Sequence, residues 1–137
     1  MKKQVMDKSE RRVMEKLWAQ KDNPLSVADL EQLFAGEKIS KVCIFKAVQS
    51  LSDKEYIRVA GLERAGMVYA RKFEPALTKE EYAAILLADS GIRSSSLGSL
   101  ALAMIGNDKD DQPDMTKDEA LIRDLEQVIE RLRNGEI

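Results

Sequence analysis

Apolar residues recur at helical spacing in Val13, Met14, Leu17 and Trp18, and the run opens on "DKSE". Asp7 stands where a cap is needed, and Glu10 three residues later completes a capping box. "KDNPLS" stops this first helix, because Pro24 cannot continue it and Asn23 suits a turn. Leu25 reads as a one-residue strand segment. Ser26 starts a second helix with Asp29 as its N3 acid, Leu30, Leu33 and Phe34 as its buried stripe, and Gly36 as its stop. Ser40 caps a third helix in "ISKVCIFKAVQSLSDKEYI". At roughly 100° per residue, Ile44, Ala47, Val48 and Leu51 share one face. Val42, Lys46, Gln49 and Asp53 fall opposite, with Phe45 and Cys43 on the flanks.

After Tyr56 the period changes to two. "IRVAGL" and "MVYARKF" alternate, "ERAG" reads as the turn between them, and Pro75 closes the hairpin. Arg64 lies near its tip, with Arg58, Arg71 and Lys72 on its strands. The second half is helical again. "TKEEYAAILLADSG" opens on a Thr78/Glu81 box, "SSSLGSLALAMIG" is short and nearly all apolar, and "NDKDDQPD" is an acidic loop. "MTKDEALIRDLEQVIERLRNG" opens on a Thr116/Glu119 box. Its stripe of Leu121, Ile122, Leu125, Val128, Ile129 and Leu132 is too broad for so small a segment to bury alone.

Three helices and then a hairpin is the order of a winged helix-turn-helix. The expected fold is mostly α with a small β-hairpin. Residues 1–75 form a winged helix-turn-helix DNA-binding domain, and residues 76–137 a C-terminal helical dimerisation region. Winged helices also serve as protein-interaction modules, so the order of elements does not settle function.

Charge sharpens this picture. The 137-residue chain has a net charge of −2. Residues 1–75 carry 15 Lys/Arg against 11 Asp/Glu, and the remainder 7 against 13. An anionic partner is therefore expected at the first half. The chain has no histidine and one cysteine. That removes Ser-His-Asp and Cys-His catalysis, zinc-ligand spacing and an internal disulfide. No Gly-rich phosphate loop is present. We expect no enzyme activity, no cofactor and no metal. No apolar run approaches the ~20 residues of a membrane span, and the N-terminus does not read as a secretory signal. No membrane partner is expected, and the location is cytoplasmic by default.

Several segments resemble the BlaI/MecI/CopY penicillinase-repressor family of bacterial winged-helix repressors. The family's E-x-x-V-M-x-x-L-W stands here as "ERRVMEKLW", and its second helix is similar to "SVADLEQLF". Its S-x-x-T-V-x-T-x-L-x-R-L meets "SKVCIFKAVQSL", and its P-L-V-S-x-E-E-Y meets "PALTKEEY". The likeness runs from about Met6 to Leu132. Cys43 and Lys46 replace threonines of the pattern, and Ser50 replaces an arginine. The wing's G-R-x-Y becomes Gly66, Met67, Val68, Tyr69. The C-terminal cysteine motif of the copper-sensing branch is absent.

The resemblance implies a homodimeric transcriptional repressor bound to a palindromic double-stranded DNA operator. Candidate DNA-binding residues are Ser40, Lys41, Val42, Cys43, Lys46, Gln49 and Arg64. Val42 is either a single exposed apolar residue or a contact to a thymine methyl. Lys46 is either solvated or reaches a guanine edge or phosphate, and Gln49 either reads adenine or is plain surface. Cys43 is a small packed residue or a redox switch. Phe45 packs on the hairpin or first helix, or wedges against DNA. Candidate dimerisation residues are Leu97, Leu100, Met104, Leu121, Leu125, Val128 and Leu132. The competing reading is a winged-helix protein-interaction module without DNA binding.

In the β-lactamase branch a protease cuts an Asn-Phe bond in the short apolar helix. That bond aligns with Ala103 and Met104, where both residue types are missing, so release by this cleavage is not expected. The inducer is then a small molecule seated among Gly98, Ser99, Ala101 and Ala103, a partner protein, or oxidation of Cys43.

Overall fold

The computed structural model describes residues 5–107 and 115–135. The elements run α1 (Lys8–Ala19), α2 (Val27–Leu33), α3 (Lys41–Asp53), β1 (Ile57–Ala65), β2 (Val68–Pro75), α4 (Lys79–Asp89), a 3-10 turn (Ser94–Ser96), α5 (Leu97–Asn107) and α6 (Met115–Asn134). The fold is mostly helical with one two-stranded antiparallel hairpin. Most of the loop expected at 107–114 lies outside the described residues, as do the Thr116 side chain and Lys2 and Lys3. No helix among the described residues is long and apolar enough to cross a membrane.

The first helices begin where side chains can satisfy orphan backbone N–H groups. Asp7 and Glu10 close a full capping box on α1, and Ser26 and Asp29 close one on α2. α1 buries Val13, Met14 and Leu17, α2 buries Leu30, and α3 buries Ile44, Ala47, Val48 and Leu51. Phe34 closes the core just past α2, while Leu33 points out to solvent, against expectation. α2 is only seven residues long, so one turn of it meets the core and the neighbouring position does not.

β1 and β2 pair from Ile57 with Pro75 to Ala65 with Val68, with an irregularity between Val59 and Gly61. The turn is Gly66–Met67, tighter than the "ERAG" expected. Gly66 has φ +65°, which suits the first position of a two-residue hairpin turn. Leu25 bridges Phe73 through two backbone hydrogen bonds of 2.9 and 2.8 Å and ties the hairpin to the helices.

The chain divides into compact units at Arg93 and Ser94, beyond the boundary expected after residue 75. Tyr82 of α4 explains the difference. Its ring packs edge-on to Tyr56 at 6.0 Å and near Trp18 at 6.2 Å, and its hydroxyl accepts a 2.8 Å bond from the Met6 N–H. Trp18 is half-buried and donates to the Leu77 carbonyl at 3.0 Å. In the second unit, α5 and α6 contain no buried residue among those described.

Candidate nucleic-acid interface

α3 is held in place from behind. Glu10 of α1 is buried, and its carboxylate accepts from Lys54 Nζ at 2.8 Å on both oxygens and from Ser50 Oγ at 3.2 Å. It also accepts from the Asp7 N–H at 3.2 Å. Burying a carboxylate costs several kcal/mol unless donors surround it, and here they do. Ser50 occupies the arginine position of the repressor motif, and Lys54 one turn on supplies the cation. This cluster fixes the rotation of α3 against α1, and so which residues face outward. At the other end, Glu37 accepts from Lys16 at 2.8 Å and Arg12 at 3.2 Å, while Arg12 also reaches the Lys38 carbonyl. Those two bonds hold the Glu37 carboxyl below its ordinary range, first through Lys16.

The outward face of α3 carries Lys41, Val42, Cys43, Phe45, Lys46 and Gln49, all exposed. Val42 is 61% exposed. Ser40, also exposed, accepts from the Cys43 N–H at 3.1 Å and caps the helix at the end that leads this face. Lys41 and Lys46 pair with no acid among the described residues.

The hairpin's cations divide into two groups. Arg58 pairs across the strands with Glu74 at 2.7 Å, and Lys72 lies 3.8 Å from Glu63 and 4.0 Å from Asp29. Among the described residues Arg64 and Arg71 face no carboxylate within ion-pair distance; Arg64 Nε instead makes a long 3.4 Å bond to the Gly66 carbonyl. Phe45, Gln49, Ser52 and Asp53 of α3 and Ala70, Arg71 and Phe73 of β2 line one groove of about 510 Å³, floored by Val27, Ala28 and Val48. Phe45 therefore faces the hairpin side while remaining 53% exposed. Arg71 is a site candidate that sequence reasoning passed over. The signal was its two-residue spacing from Phe73, which points both side chains to one face of the strand. Asp53 in the same groove opposes the positive charge there.

No protein-family model matches the chain, and no curated protein matches it. The likeness to the penicillinase repressors rests on its motifs alone. Among the described residues, no group of three or more His, Cys, Asp or Glu side chains could hold a metal ion.

The candidate dimerisation residues fall on α5 and α6. Leu97, Met104, Leu121 and Leu132 are exposed, and Leu100, Leu125 and Val128 are half-buried. Ala103 and Met104 lie within α5, both exposed.

Proposed function

We propose that the chain is a DNA-binding transcriptional repressor that acts as a homodimer on a palindromic operator. In this reading α1 to α3 and the hairpin form a winged helix-turn-helix, with α3 lying in the major groove and the hairpin as the wing. One observation carries it. α3 turns Ile44, Ala47, Val48 and Leu51 inward and presents Lys41, Val42, Lys46 and Gln49 outward, with both lysines free of carboxylate partners among the described residues. Lysines toward phosphates supply affinity, and Val42 and Gln49 toward base edges supply sequence preference. The apolar faces of α5 and α6 supply the dimer contact, and the inducer is a small molecule or a partner protein.

A protein-interaction module remains the second reading, favoured by the exposed Leu62, Val68 and Tyr69 of the hairpin. Footprinting the full-length protein on the DNA upstream of its own coding sequence separates the two. Two protected half-sites about 34–36 Å apart, or a multiple of that, are expected. Absence of any protection at low salt would sink the repressor reading.

A further inference from the structure

The hairpin tip is apolar where a phosphate-binding wing would be charged. Met67 is 98% exposed, and Leu62, Val68 and Tyr69 are each exposed by more than 60%. Met67 stands at the position where the repressor motif has arginine. The turn is two residues long, so it projects one side chain at the end of a narrow ribbon. The cation at this end is Arg64, whose Nε reaches back to the Gly66 carbonyl and so keeps the guanidinium beside the tip. Behind the tip Arg64 stands opposite Tyr69 and Leu62 opposite Arg71, and the acid between them, Glu63, lies opposite Ala70 and is directed to Lys72 at 3.8 Å. Neither guanidinium is answered by a carboxylate among the described residues.

From this arrangement we propose that Met67 is a minor-groove wedge that inserts between base steps and bends the operator, with Arg64 beside it in the groove. The proposal rests on the repressor reading and adds a deformation to it. A groove roughly 6 Å wide excludes a helix yet admits a turn that presents a single unbranched side chain. Methionine is among the side chains that unstack a base step in this way, and a cation beside it meets the charge of the flanking phosphates. A protein partner would cover the apolar side chains but leave both guanidinium groups to be neutralised. A polyanion accommodates the cations, and its base stack accommodates the thioether.

The experiment uses the fragment that the full-length protein protects, labelled at both ends for energy transfer and carrying 2-aminopurine where the wing falls. Wild-type protein is expected to bend it by about 20° or more and to brighten the 2-aminopurine as the step unstacks. At protein concentrations that saturate the fragment, Met67→Gln should lose both signals, and Met67→Leu should retain both. The position is fully exposed, so neither variant disturbs the core. A footprint on a straight duplex, or one whose bend survives Met67→Gln, overturns the wedge while leaving the repressor reading intact, and assigns the apolar tip to a protein contact. No footprint at all overturns both.

Discussion

Leu30 on α2 and Leu132 on α6 are both leucines on amphipathic helices, yet the first is fully buried and the second is 61% exposed. Their helices differ in what surrounds them. In the first unit, three helices, a hairpin and α4 converge, and Met14, Leu17, Leu51 and Tyr56 are at most 1% exposed. Each such side chain contributes roughly 1.5–3 kcal/mol by leaving water. In the second unit α5 and α6 bury no residue among those described, and Leu102, Met104, Ile122 and Ile129 remain exposed. Helices of 11 and 20 residues do not enclose a core by themselves. The comparison separates a unit that folds on its own apolar surface from one whose apolar surface is addressed to something else, which we propose is a second copy.

The largest expected effect comes from cutting the chain between the units. A chain ending at Arg93 should keep a cooperative thermal transition and sediment as a monomer. Its operator affinity should fall by about 10²–10⁴-fold, because the two half-sites are no longer linked. If the truncated chain melts without cooperativity, the second unit supplies part of the first unit's core, and the contrast drawn from Leu30 and Leu132 fails. Full-length protein that sediments as a monomer at micromolar concentration would remove the dimer.

Within the first unit, the sharpest loss should follow Lys54→Ala. Glu10 would stay buried with only the Ser50 hydroxyl and the Asp7 N–H as donors. Removing one partner of a buried pair costs about 3–5 kcal/mol, read as a lower urea midpoint at unchanged slope. Reversing an exposed pair such as Arg58 with Glu74 should cost under about 1 kcal/mol. A loss that small at Lys54 would show that water reaches Glu10.

These two features also mark how far the sequence could be read. The starts of α1 to α3 and the buried face of α3 were legible, because caps and apolar period are local properties written in adjacent residues. The change to a hairpin was legible from alternation, but its turn was placed two residues early. "ERAG" and Gly66–Met67 are separated only by register, and register is set by pairing with the partner strand. The second role of Glu10 was hidden, because a residue already explained by a capping box gives no local sign of Lys54 forty-four positions on. The division into compact units at Arg93 was hidden for the same reason: nothing beside Tyr82 in sequence announces that Met6, Trp18 and Tyr56 surround it. Of the α3 site, the outward residues were legible, whereas the commitment of Arg58 and Lys72 to acids and the position of Arg71 beside Phe45 depend on tertiary packing.

The DNA-facing residues of the first unit should give intermediate effects that differ in kind. Lys46→Ala is expected to weaken operator binding by roughly 1–3 kcal/mol and relax preference at one base pair. Arg64→Ala should weaken all sequences alike and make the salt slope shallower by about one unit. Neither should alter thermal stability by more than a few tenths of a kcal/mol, since both side chains are exposed and neither pairs with an acid among the described residues. Binding by both variants that matches wild type throughout a salt titration would sink the DNA-facing assignment.

The smallest effect tests, within the first unit, whether a turn flanked by buried Tyr56 holds strain that a turn flanked by exposed Ile92 does not. α3 and α4 end in the same motif. Past α3, the Tyr56 N–H bonds to the Leu51 carbonyl and the Glu55 N–H to that of Ser52; past α4, Ile92 and Gly91 bond to Leu87 and Ala88 in the same way. The residue that turns into the left-handed region is Gly91 in one case and Glu55, at φ 62°, in the other. A side chain there costs roughly 1–2 kcal/mol, which burial of Leu51 and Tyr56 on either side offsets. Glu55→Gly removes that cost but gives back about 0.4–1 kcal/mol through the freer unfolded chain. A net gain of about 0.5–1 kcal/mol is expected, read as a rise in Tm of about 2–6 °C. Gly91→Ala should move stability the other way, since it adds the same strain at a turn that now has none. If Glu55→Gly lowers Tm instead, the Glu55 side chain contributes to the turn, and the strain inferred from its φ angle is already relieved by a contact of its own.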